Sequence, residues 1–146
     1  MHVTARVDNA LRVMLTLGQA DSHAVPVTEL ADAFGVSYSY LLAIVKDLRR
    51  AGLVHHTRGS DGGVQLARPP TDISLDQIIW AADGPLTISD GTQQIDAEPP
   101  DSSVGYFRTL WSAAHRAMLE VFSQVRLADA ISQQLPTTVA RRPKAS

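Results

Sequence analysis

At 146 residues the chain is long enough for one compact core and a further element, and its 45% hydrophobic and 19% charged residues exclude wholesale disorder. No apolar run approaches the roughly 20 residues that span a bilayer. The opening Met1-His2-Val3-Thr4-Ala5-Arg6 lacks the plan of a signal peptide, so the expected location is the cytoplasm. Cysteine is absent, which excludes disulfides, thiolate zinc sites, thiol redox sensing and all-cysteine iron–sulfur clusters.

Net charge is −2 at pH 7, but its distribution is uneven. Residues 1–70 carry seven basic and six acidic side chains, against six and nine in residues 71–146. Within 46–68, five basic groups face only Asp47 and Asp61. A local surplus of this kind is what phosphate contact requires, although charge runs are more often solvated faces.

The first predicted helix covers about 4–18, where Val7, Ala10, Leu11, Met14, Leu15 and Leu17 recur at helical spacing until Gly18. Thr28 is the expected N-cap of a second helix that buries Leu30, Ala31 and Phe34 and ends at Gly35. After Val36, Ser37 is the expected N-cap of a third helix. Its stripe, Leu41, Ile44, Val45 and Leu48, follows i, i+3, i+4, i+7, and Gly52 supplies the left-handed stop. Strands are expected over 53–57 and 64–67. Between them lies Arg58-Gly59-Ser60-Asp61-Gly62-Gly63, whose three glycines permit positive φ and a narrow tip. Pro69-Pro70 stops the second strand. A short helix over 74–82 points Leu75, Ile78 and Ile79 inward and closes at Asp83-Gly84-Pro85. Residues 86–103 are polar and aperiodic, a longer connection than usual. The longest helix is expected over 104–127, with Phe107, Leu110, Trp111, Ala114, Met118, Val121, Phe122 and Val125 on one heptad-like stripe. A short helix follows near 128–134, then a disordered tail.

The expected fold is mainly α with a small β-hairpin wing: a winged helix-turn-helix plus a long dimerisation helix. Its domains are a winged helix-turn-helix over 1–85, a loop over 86–103, a dimerisation region over 104–135 and the tail over 136–146. Burying the stripe of the third helix leaves Tyr38, Ser39, Lys46 and Arg49 outward, and the helix N-terminus can enter a major groove. Ser37, Ser39 and free backbone N–H groups suit phosphate or base edges, and Tyr40 can reach a phosphate while its ring packs. Arg58 at the base of the wing suits a narrow minor groove, with Gly59, Ser60, Gly62 and Gly63 forming the tip. Asp61 is unfavourable there unless it orients Arg58. Taken singly, these glycines and tyrosines also fit a plain hairpin and half-buried packing.

These residues resemble the Rrf-two family of bacterial regulators, which includes the IscR and NsrR types. The resemblance runs through Ser37-Tyr38-Ser39-Tyr40-Leu41, Leu48-Arg49-Arg50-Ala51-Gly52-Leu53-Val54, and Arg58-Gly59-Ser60-Asp61-Gly62-Gly63-Val64-Gln65-Leu66-Ala67-Arg68-Pro69. It continues through Ile73, Ile78 and Ala82-Asp83-Gly84-Pro85. It implies a homodimer joined by the long helices, the stripe from Phe107 to Val125 forming the interface, with each winged helix reading half of a near-palindromic double-stranded DNA operator. The family's groove and phosphate contacts fall on Ser37, Ser39, Tyr40 and Arg58. The next helix positions, often polar base readers, are Leu42 and Ala43, which leaves apolar contact with thymine methyls as the available readout.

The resemblance also implies a departure. Family members that sense through an iron–sulfur cluster place its cysteines in the loop that is here 86–103, which has none. Asp8 matches a position that can add a carboxylate ligand, but a carboxylate without thiolates holds no such cluster. The histidines offer no substitute, since His55 and His56 are adjacent on a strand and point apart. The expectation is therefore a regulator without metal or cofactor, most simply a repressor, controlled by an unidentified small molecule or protein effector. Trp80 and Trp111 read first as core and interface packing and second as the lining of a cavity beneath the wing domain. A protein-interaction module that has lost DNA binding is the alternative, motivated by Leu42, Ala43 and the acidic net charge. An enzyme is the weakest reading and is not expected: no paired carboxylates, no nucleophile with a base at readable spacing and no phosphate loop are legible.

Overall fold

The computed structural model describes residues 3–84 and 103–140, with the backbone alone described at positions 103, 104, 108 and 111. Helix α1 (Ala5–Gln19) starts where the Thr4 hydroxyl accepts the Val7 N–H at 3.2 Å, and it buries Val7, Ala10, Val13, Met14 and Leu17. Helix α2 (Val27–Phe34) starts two residues earlier than expected. Pro26, extended and without a side-chain cap, leads the chain in, and Thr28 lies within the first turn. The fixed φ of proline supplies the entry geometry that a capping hydroxyl was expected to provide. Gly35 adopts φ 67°, and Val36 N–H then donates to the Ala31 carbonyl at 3.1 Å, closing the helix.

Helix α3 (Tyr38–Arg50) is capped as expected: Ser37 Oγ accepts the Tyr40 N–H at 3.3 Å. All four stripe residues, Leu41, Ile44, Val45 and Leu48, are 0% exposed. Strands β1 (Val54–Thr57) and β2 (Gly63–Leu66) pair antiparallel with Val54 opposite Leu66 and Thr57 opposite Gly63. Val25 makes an isolated antiparallel bridge to β2, exchanging hydrogen bonds of 3.0 and 2.9 Å with Val64. A 3₁₀ turn at Pro70–Asp72 leads to α4 (Leu75–Asp83), where the Ser74 N–H donates to Gln77 Oε1 at 3.2 Å.

The long helix α5 (Ser103–Gln124) ends before Val125, short of the expected residue 127. There the backbone leaves the helix to bond across the chain. Leu75 N–H donates to the Val125 carbonyl at 3.0 Å, and Leu127 N–H to the Ile73 carbonyl at 2.8 Å. These bonds, with Leu127 fully buried, fasten the end of α5 to the winged domain. Helix α6 (Leu127–Ser132) then packs on α1, with Ile131 against Gly18. One turn, α7 (Thr137–Ala140), follows where a disordered tail was expected. The tail residues 141–146 and the loop residues 86–102 lie outside the described residues.

The architecture is thus mainly α with a two-stranded wing, as expected. One core joins α1–α4, the wing and Leu127; each large buried aliphatic side chain contributes about 1.5–3 kcal/mol relative to exposure. Arg6 ties three helices together. From α1 it forms a salt bridge with Asp47 of α3 and donates through Nε to the Ala82 carbonyl of α4 at 2.6 Å. Arg50 completes the cluster, 3.0 Å from Asp47. No helix among the described residues is long and apolar enough to cross a membrane.

Candidate nucleic-acid interface

The outward face of α3 follows from its buried one. With Leu41, Ile44, Val45 and Leu48 committed to the core, Ser39, Ala43, Lys46, Arg49 and Arg50 are exposed and Tyr38 is 50% exposed. Tyr40 and Leu42 are half-buried against the core. Leu42 is thereby drawn inward, and Ala43 alone of the two presents an apolar surface on the outer face. At the N-terminus, Tyr40 N–H goes to the Ser37 hydroxyl and Leu41 N–H to the Ser37 carbonyl at 3.1 Å. The Tyr38 and Ser39 amides remain as end-on donors at the positive end of the helix dipole. Ser37 Oγ, 3.5 Å from Ser39 Oγ, accepts one bond as a cap and keeps its own proton to donate.

The wing glycines act differently from expectation. Gly59 alone of the three has positive φ, at 121°. Gly62 N–H closes the tip on the Gly59 carbonyl at 3.0 Å, and a Cβ at Gly62 would stand 2.7 Å from the Thr57 carbonyl oxygen. A Cβ at Gly63 would meet the Val25 carbonyl group at 2.5 Å, so glycine there lets the bridging Val25 segment approach. Gly59 and Ser60 are exposed, and Gly62 and Gly63 half-buried. Arg58 is exposed, and no ion pair with Asp61 forms among the described residues. Asp61 therefore does not orient it. Lys46, Arg49 and Arg58 are all outside the described salt bridges, whereas Arg50 is held by Asp47. Basic residues with no carboxylate to displace are available to phosphates at the lowest desolvation cost.

The stripe of α5 divides. Tyr106 and Phe107 are each 65% exposed and stack edge-to-face at 5.9 Å, Leu110 is 49% exposed, and Ala114 is exposed. Met118, Val121 and Phe122 are half-buried, Phe122 against the core. Val125, expected at the interface, is 6% exposed within the single chain; leaving the helix turned it into the core. The side chain of Trp111 lies outside the described residues. Trp80, read first as core packing, is instead 59% exposed on the side of α4 opposite Ile78 and Ile79.

The Rrf2 family model, described as "Iron-dependent Transcriptional regulator", matches residues 3–133. The chain belongs to the Rrf2 family. An HTH-type transcriptional regulator of Mycobacterium tuberculosis is 34% identical to it over 144 residues, covering 97% of this chain and 88% of the relative. Protein rrf2 of Nitratidesulfovibrio vulgaris is 30% identical over 133 residues, covering 88% and 86%. Among solved structures, CymR of B. subtilis, described as its global cysteine regulator, superposes with a TM-score of 0.73 at 27% identity, covering 92% of this chain and 98% of CymR. T. potens IscR gives 0.71 at 27% identity, covering 99% and 94%. This Rrf2 protein is a transcriptional regulator and not an enzyme, as its sequence implied.

The family description names iron, and the residues of this chain do not fit an iron–sulfur cluster. Thiolate ligands are absent from the whole sequence, and no three His, Asp or Glu side chains gather at a metal-binding distance among the described residues. The Asp8 carboxylate is engaged by Arg12 Nε at 2.9 Å.

Two features escaped the sequence. The Arg6–Asp47–Arg50 cluster joins residues 41 positions apart, with no local signature. The bonding of Val125 and Leu127 to Ile73–Leu75 is likewise long-range, and the helical spacing of Val125 concealed it.

Proposed function

We propose that this Rrf2 regulator binds a near-palindromic DNA operator as a homodimer in the cytoplasm, each protomer inserting α3 into a major groove and its wing into the adjoining minor groove. The carrying observation is the outer face of the winged domain, where Lys46, Arg49 and Arg58 stand exposed and outside the described salt bridges. Tyr38, Ser39 and the Ser37 hydroxyl position the N-terminus of α3 on the phosphates, with Tyr40 reaching past its packed ring. Gly59 and Ser60 let the wing tip approach the backbone closely, and Gly62 and Gly63 hold its shape. Ala43 supplies the only apolar contact at the base-reading position, which suits a thymine methyl.

Dimerisation through α5 is supported by its uncovered apolar surface, Tyr106, Phe107 and Leu110, continued by Ala114, Met118 and Val121. A dimer occupying a promoter most simply excludes polymerase, so the regulator acts as a repressor, relieved or reinforced by a small-molecule or protein effector. Arg58→Ala tests the reading head: a gel shift at matched salt should show about tenfold weaker operator binding by an intact dimer. Unchanged affinity would remove the wing from the interface.

A further inference from the structure

A cleft of about 410 Å³ opens where the reading head meets the long helix. Its floor is Ala51 and Leu53, which flank Gly52 in the link between α3 and the wing. One wall is α4, through Asp76, Gln77 and Trp80, and the other is α5, through His115 and Leu119. Arg68, just after β2, completes the lining. This volume lies in the range of small-molecule sites, about 300–1,000 Å³, which combine an apolar lining with a few fixed polar groups.

The chemistry of the lining is asymmetric. Arg68 donates to the Asp72 carbonyl and to Gln77 Oε1, each at 3.4 Å, and takes part in no salt bridge among the described residues. Its guanidinium is thus steered by two neutral acceptors and keeps N–H donors for an anion. Asp76, also in the lining, accepts from the Ser74 hydroxyl and forms no salt bridge with Arg68 among the described residues, so the guanidinium stays unpaired although the carboxylate keeps its charge. His115 adds a second nitrogen from the opposite wall. Trp80 presents an indole that is 59% exposed, beside Leu53 and Leu119, as a surface for an apolar body.

We infer that this cleft is an effector site for a small carboxylate with an aromatic or aliphatic body, its carboxylate on Arg68 and its body on Trp80 and Leu119. A guanidinium binds a planar carboxylate by paired N–H donors, and an exposed indole gains most from covering by a flat or flexible apolar group. Occupancy bridges α4 and α5 directly above the α3–wing link, so a ligand that favours one packing of these elements changes operator affinity. The inference rests on the proposed function for its regulatory consequence but not for binding itself.

The chain has two tryptophans and therefore two indole N–H signals in a ¹H–¹⁵N spectrum, with Trp80 assigned by loss of its signal in Trp80→Phe. Indole-3-acetate, phenylacetate and hexanoate are titrated alongside their neutral amides, without DNA. At least one carboxylate should shift the Trp80 signal saturably, with its amide at least about tenfold weaker. Arg68→Gln should abolish that preference while Arg68→Lys keeps part of it, and Leu119→Trp, which fills the cleft, should block binding even if Arg68→Gln fails to fold. Equal response to acids and amides, or no saturable shift by about 10 mM, would overturn the site. Saturating ligand should then change operator affinity about fivefold or more; binding without that change would overturn the effector role alone. Failure of the ligand-free protein to bind any duplex would instead count against the proposed function.

Discussion

Helices α3 and α5 carry the same kind of apolar stripe, yet their surroundings differ completely. In α3, Leu41, Ile44, Val45 and Leu48 are sealed by the protomer's own core. In α5, the C-terminal half is fastened to the winged domain, while Tyr106, Phe107 and Leu110 stand uncovered. Periodicity reveals that a helix has an apolar face, not which surface covers it. Helix α3 is positioned by the fold, while the leading half of α5 leaves an apolar surface that the proposed association between chains would cover.

Substitutions should separate the two roles. Leu41→Ala removes a side chain with no exposure and should cost about 2–5 kcal/mol of folding stability, read by denaturant titration. A loss below about 1 kcal/mol would show that α3 is not rigidly seated. Leu110→Asp should leave folding intact but weaken dimerisation about a hundredfold or more by sedimentation, since a carboxylate cannot be buried unpaired. A well-formed dimer of this variant would move the interface off this face. Arg6→Ala, which releases α3 from α1 and α4, should lower stability by about 1–2 kcal/mol, and a thermal melt unchanged from the parent would deny the cluster a structural role. The smallest effect belongs to base readout. Replacing thymine by deoxyuridine at the position facing Ala43 removes one methyl group and should weaken operator binding by a few-fold, about 1 kcal/mol. If no thymine in the half-site responds, Ala43 does not read a methyl.

What was legible in the sequence was local. Ser37 and Gly35 announce helix ends because caps and left-handed turns depend on one residue and its immediate neighbours. The wing was legible as a hairpin, but the reason for two of its glycines was not. Gly62 and Gly63 are required by backbone that approaches them, Gly63 by Val25 far back in the chain. Thr28 misled because Pro26 sets the entry angle without a hydroxyl. Val125 misled because its spacing continues the helix, while hydrogen bonds from the Leu75 N–H to its carbonyl and from the neighbouring Leu127 N–H to the Ile73 carbonyl draw the backbone out of it. Trp80 reads first as packing and second as the lining of a cavity, and the tertiary arrangement favours the second, with the residue 59% exposed at the cleft. At the candidate interface, the identities of the exposed cations were readable. That Arg50 is held by Asp47 and Arg58 is not held by Asp61 was a matter of geometry.

The central claim is that two chains, joined through α5, read one operator with α3 and the wing. Native mass measurement of the protein on a duplex selected from random sequence tests it most directly. The account predicts two chains per duplex for the parent protein, and loss of that complex at the same concentration for folded Leu110→Asp. A single chain bound with parental affinity, in either protein, would contradict it.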